Sequence, residues 1–136
     1  MSTEIRPELS KKNPYWIDRH RYYELKHFCL QYHRWEKILR SFTYVRSNDV
    51  IHISDKDISD PTCKIAMAET YCQNRIAMVR KAALETDKIF CDFILKAVTQ
   101  GYSYNTMRTK YDVPCGKDIW YEMYHKFFWL LDTVRE

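Results

Sequence analysis

Three groups of residues have the types and spacing that could do chemistry. Cys29 and His33 stand at i and i+4, the helical spacing of a two-ligand metal pair. Cys115 precedes a helix start, where the positive end of the backbone dipole can ease thiol ionisation. Asp55, Asp57 and Asp60 crowd one segment in the manner of a calcium loop. None of the three is complete. Structural zinc needs four nitrogen or sulfur ligands, and no third or fourth stands near Cys29 and His33. The aspartate segment lacks both the glycine of the sharp turn and the bidentate glutamate. Cys115 reads as turn packing. There is also no glycine-rich phosphate loop, no GxSxG elbow and no HExxH pair. The expectation is a chain with no catalytic residue, no metal and no cofactor, not an enzyme, whose chemistry is binding.

The first binding element is a stripe of cations. Leu25, Phe28, Tyr32, Trp35, Leu39 and Phe42 recur at spacings of 3, 4, 3, 4 and 3, which predicts a helix with one apolar seam. The opposite face collects Arg19, His20, Lys26, His27, His33, Arg34, Lys37 and Arg40, with no acidic residue among them. On a single helix the stripe runs about 30 Å, at roughly 1.5 Å per residue, close to one turn of duplex. Arg19, Lys26, His27, His33, Arg34, Lys37 and Arg40 are therefore candidates for phosphate contacts. A solvated helix face, or a surface for an acidic protein, would carry the same residues.

The second element is SYNTMRTKYDVPCGKDIWYEMY, Ser103 to Tyr124. Two helical patterns flank the turn Asp112-Val113-Pro114-Cys115-Gly116, as in a helix-turn-helix. On a wheel of about 100° per residue, Ile119, Trp120, Met123, Tyr124, Phe127, Leu130, Leu131 and Val134 point inward. Asp118, Tyr121, Glu122, His125, Lys126, Trp129 and Asp132 point outward. Lys117, Asp118, Tyr121, Glu122 and His125 form the base-reading or docking set, and Trp129 is a candidate anchor for a partner. From Gly101 to Glu136, five Lys/Arg meet five Asp/Glu, so this head has no net charge with which to hold DNA alone. Arg108 stands where a small residue usually lets helices approach, and Asp112 where glycine usually supplies a left-handed turn.

These elements need a scaffold. At 136 residues the chain fits one domain with a genuine core. Two glycines and four prolines favour long helices over an all-β fold. The fold class expected is all-α: a long N-terminal helix plus a helical bundle ending in a helix-turn-helix. In detail, residues 1–17 form a disordered lead, 18–44 the long basic amphipathic helix capped at Asp18, and 45–58 a linker with a short strand at Val50 to Ile53. Residues 59–136 form a helical domain whose helix-turn-helix spans 89–134. Within it a helix from Ser59-Asp60-Pro61 runs to about Thr86, and another runs from Asp87 to Gln100, ending at Gly101. Five scattered cysteines in no CxxC arrangement suggest reduced thiols rather than a disulfide framework. With no membrane-length apolar run and no signal-peptide core, the protein is expected to be soluble and intracellular, without a membrane partner. The net charge of +4 permits nucleic-acid binding without requiring it.

The opening PYWIDRHRYYELKHFCLQY, the SDPT helix start and the closing ILKAVTQGYSY and YDVPCGKDIWYEMYHKFFWLL resemble small prophage-encoded proteins of low-GC Gram-positive bacteria. These are similar to phage late-transcription regulators of the ArpU and RinA type, whose C-terminal part resembles a sigma-factor region-four helix-turn-helix. The resemblance implies a cytoplasmic protein of a bacterial host that binds duplex DNA upstream of phage late genes and contacts the host RNA polymerase. It carries the reading-helix role onto Lys117, Asp118, Tyr121, Glu122 and His125. The alternative is a helical protein-binding module, such as a phage inhibitor of a host polymerase, nuclease or defence complex of the anti-CRISPR kind. A packaging or assembly adaptor is a third reading, and a homodimer would satisfy the apolar seam.

Overall fold

The computed structural model describes residues 13–48 and 60–135, which are all-helical, with no strand among them. Six helices follow in order: α1 (Arg19–Leu30), α2 (Tyr32–Asn48), α3 (Asp60–Thr86), α4 (Cys91–Gln100), α5 (Tyr104–Tyr111) and α6 (Lys117–Val134). None of them is long and apolar enough to cross a membrane. The strand expected at Val50 to Ile53 lies outside the described residues, as do most of the 45–58 linker and the 1–12 part of the lead.

The chain divides into two compact units, one of Met1–Gln31 with Met78–Glu136 and the other of Tyr32–Ala77. The long helix expected over 18–44 is two helices, separated at Gln31. There the Gln31 N–H closes onto the Phe28 carbonyl at 3.2 Å, a three-residue step that interrupts the α-helical ladder. Neither proline nor glycine marks the place. The seam residues are buried on both sides of it, but Leu25 and Phe28 belong to the first unit and Tyr32 and Trp35 to the second. The apolar spacing is thus real, while the uninterrupted helix inferred from it is not.

In the first unit, Asp18 caps α1 as its position predicts, its carboxylate accepting the His20 N–H at 3.0 Å. The helix buries Tyr22, Leu25, Phe28 and Cys29 and packs on α4 and α6. α4 starts at Cys91 rather than Asp87, because the Asp87 carboxylate accepts the N–H groups of Ile89 and Phe90 and holds a turn instead. It contributes Ile94, Ala97 and Val98 to the core and stops at Gly101, whose φ of +74° is left-handed. A Cβ there would lie 3.2 Å from Leu30 Cδ2, so both conformation and space favour glycine.

α6 is the centre of this core. Trp120, Phe127, Phe128 and Leu131 are buried along it, and Phe128 meets Tyr22, Tyr124 and Phe127 edge-on with centroids 5.0 Å apart. Truncating such a ring costs about 3–5 kcal/mol. The buried arc is rotated from the one expected. Ile119 is 55% exposed although placed inward, whereas His125 is 7% exposed although placed outward. On the His125 side, residues 13–15 line a cleft with it, and Tyr15 packs its ring edge-on against Trp129 at 5.6 Å.

The second unit has a described core of Tyr32, Trp35 and Cys72. Along its part of α3, Cys72 is buried and Ile65 and Ile76 are half-buried, while Val79 and Ala83, buried further along the same helix, belong to the first unit. Another α3 face stays open, with Met67 and Tyr71 exposed and the Arg75 guanidinium 3.3 Å from the Tyr71 ring centroid.

Candidate nucleic-acid interface and docking cleft

Local chemistry builds the α5–turn–α6 element. The Ser103 hydroxyl accepts the Thr106 N–H at 3.2 Å and starts α5. Asp112 ends it in the left-handed region at φ 51°, a conformation that aspartate tolerates better than most residues. Arg108 keeps its chain out of the helix contact. Its guanidinium donates to the Val113 carbonyl at 2.6 Å, while Met107, Val113 and Trp120 are buried. Tyr104 ties the pieces together, donating its hydroxyl to the Cys115 carbonyl at 2.7 Å while its N–H donates to the Tyr121 hydroxyl at 3.1 Å. Cys115 is half-buried, and burial raises its thiol pKa, with Arg108 opposing only in part. Burial thus works against the easing of ionisation that the helix start would give this thiol.

Downstream of the turn, Gly116, Lys117, Asp118 and Ile119 are exposed, so the first turn of α6 is open to a ligand. Four of the five reading or docking residues, Asp118, Tyr121, Glu122 and His125, line one cleft of about 390 Å³ with Asn13, Pro14 and Tyr15. Lys117 lies outside it. Their spacing of i, i+3, i+4 and i+7 puts them on one ridge of the helix. His125 is therefore not on an open reading face but lines the cleft as a buried residue, and desolvation holds its imidazole below the ordinary pKa. Tyr121 is shifted up, chiefly by burial. Trp129 is half-buried, with the Tyr15 ring edge-on against it at 5.6 Å.

The candidate phosphate contacts divide between the units. Arg19, Lys26 and His27 lie on α1, with Arg19 and His27 exposed and Lys26 half-buried. His33, Arg34, Lys37 and Arg40 are exposed on α2, where His33 Nδ1 lies 3.0 Å from the Glu36 carboxylate. Cys29, four residues before His33, is fully buried, and desolvation raises its thiol pKa far above the ordinary range. Among the described residues no three His, Cys, Asp or Glu side chains converge as a metal site would require.

Sequence reasoning missed one cluster. Lys110 Nζ lies 4.8 Å from the Tyr102 ring centroid, Lys96 Nζ lies 5.6 Å from that of Tyr111, and the two rings are 6.4 Å apart. Both lysines are exposed, giving α4 and α5 a cationic surface interleaved with aromatic rings. Its signal was the repeated pairing of tyrosine and lysine over residues 96–111, which only the packing of α4 against α5 assembles. Comparison of the chain with family models, curated proteins and solved structures finds no match.

Proposed function

We propose that the chain is a DNA-binding transcriptional regulator of the phage late-gene type, with α5, its turn and α6 acting as a helix-turn-helix. The observation that carries this reading is the open first turn of α6 behind a turn fixed by left-handed Asp112 and by the Arg108 to Val113 hydrogen bond. A helix held this way can offer Lys117 and Asp118 to base edges, lysine to guanine and aspartate to a cytosine amino group. Phosphate affinity comes from the exposed cations Arg19, Lys96 and Lys110 in the first unit and Arg34, Lys37 and Arg40 in the second. Duplex binding measured across a salt series tests the reading. A log–log slope of roughly −0.9 per phosphate contact is expected. Absence of duplex binding at low salt would sink it.

A second reading, a protein-binding module, is favoured by the cleft. Asn13, Pro14 and Tyr15 wall the ridge of α6 that a major-groove reader would leave bare, and they turn it into a concave site.

A further inference from the structure

The cleft on α6 is chemically one-sided. Asp118 and Glu122 stand at its rim four residues apart, and neither carboxylate has an ion-pair or hydrogen-bond partner among the described residues. Lys117 and Lys126 are on the same helix, yet neither pairs with them. His125 lines the same space, only 7% exposed, and its ring nitrogens have no hydrogen-bond partner among the described residues. Tyr15 and Tyr121 supply aromatic wall.

We propose that this cleft receives the guanidinium of an arginine side chain belonging to a protein partner. The charge complementarity fixes the sign of the ligand, since two unpaired carboxylates attract a cation and repel a phosphate or an acidic peptide. Burial keeps His125 neutral, so it adds no repulsion and retains one nitrogen able to accept an N–H. The aromatic walls then select the planar cation. A guanidinium stacks on tyrosine and donates to carboxylates through a fixed fork, which an ammonium cannot do. A cleft of about 390 Å³ accommodates a side chain, not a folded element. The inference rests on the docking reading of α6 and gives Asp118 a different role from the one the DNA reading gives it.

The test is a proton–nitrogen NMR titration of the full chain with three capped tripeptides, carrying arginine, lysine or phenylalanine between glycines. Saturable shifts at Asp118, Tyr121, Glu122 and His125 with the arginine peptide are expected, with the lysine peptide weaker. The D118N/E122Q double variant, changed only at exposed side chains, should keep the spectrum of the rest of the fold and weaken arginine binding by about tenfold. Equal response to lysine, or unchanged affinity in the double variant, would overturn the guanidinium assignment. Shifts of the same residues by the phenylalanine peptide alone would overturn it while leaving the docking reading in place. No saturable shift with any peptide overturns both.

Discussion

Arg21 Nε lies 2.5 Å from Asp132 Oδ1, joining the first turn of α1 to the last turns of α6 across 111 residues of chain. The same guanidinium contacts Glu24 at 2.7 Å and donates to the Arg135 carbonyl. One side chain thus closes the end of the unit that holds the α5–turn–α6 element. The Arg135 guanidinium lies over the Phe28 ring at 4.3 Å, which places the cationic closure directly against the α1 core.

Replacing Arg21 by alanine should therefore destabilise the fold by about 1–2 kcal/mol, more than an exposed ion pair would contribute. Asp132→Ala should cost less, because Arg21 retains Glu24 and the Arg135 carbonyl. The coupling in a double-mutant cycle should be about 0.5–1 kcal/mol. Urea unfolding reads both quantities as a shift in midpoint at constant slope. Additive single effects would mean that the pair does not act as one closure.

Two left-handed residues make opposite predictions. Gly101→Ala meets both φ +74° and Leu30 Cδ2 at 3.2 Å, so it should lose about 1–2 kcal/mol. Asp112→Gly relieves a non-glycine residue at φ 51° and should be neutral or stabilising by up to about 1 kcal/mol. Thermal melts followed by circular dichroism separate the two signs. A destabilised D112G would mean that the Asp112 side chain has a stabilising role beyond its backbone conformation.

His125 makes stability depend on pH. Desolvation sets its folded pKa below the unfolded value, so between the two the unfolded chain holds the additional proton and stability rises with pH. The contribution is complete above about pH 6.5, the unfolded value, and is lost as pH falls through the folded pKa. H125L should flatten the unfolding midpoint in that window, whereas an unchanged slope would assign the dependence to other groups.

The parts of the fold legible in the sequence are those fixed by neighbouring residues. Asp18, Ser103, Gly101 and Asp112 each act within a few positions, through a cap or a left-handed turn, and each stands where its type suggests. The misplaced parts depend on distant packing. Nothing near Gln31 announces a break, because its seam neighbours remain apolar on both sides while being buried in separate units. A helical wheel turns His125 and Trp129 outward because it cannot include residues 13–15, which lie on that side. For the candidate site the spacing of Asp118, Tyr121, Glu122 and His125 was readable, but its conversion into a cleft was not.

The DNA reading can be divided between its two cationic surfaces in the first unit. K96A/K110A removes both lysines beside Tyr102 and Tyr111, leaving the rings and the buried core in place. If both lysines neutralise phosphates, the salt slope should fall by roughly 1.8, with little change in stability because both side chains are exposed. Arg19→Ala removes one exposed cation from α1 and should lower the slope by roughly 0.9. A loss confined to K96A/K110A would place the duplex against α4 and α5, beside the open turn of α6. A loss confined to Arg19→Ala would move phosphate binding to α1 and leave the tyrosine–lysine cluster without a nucleic-acid role. Unchanged slopes in both variants, with duplex binding retained, would assign the phosphate contacts to Arg34, Lys37 and Arg40 of α2.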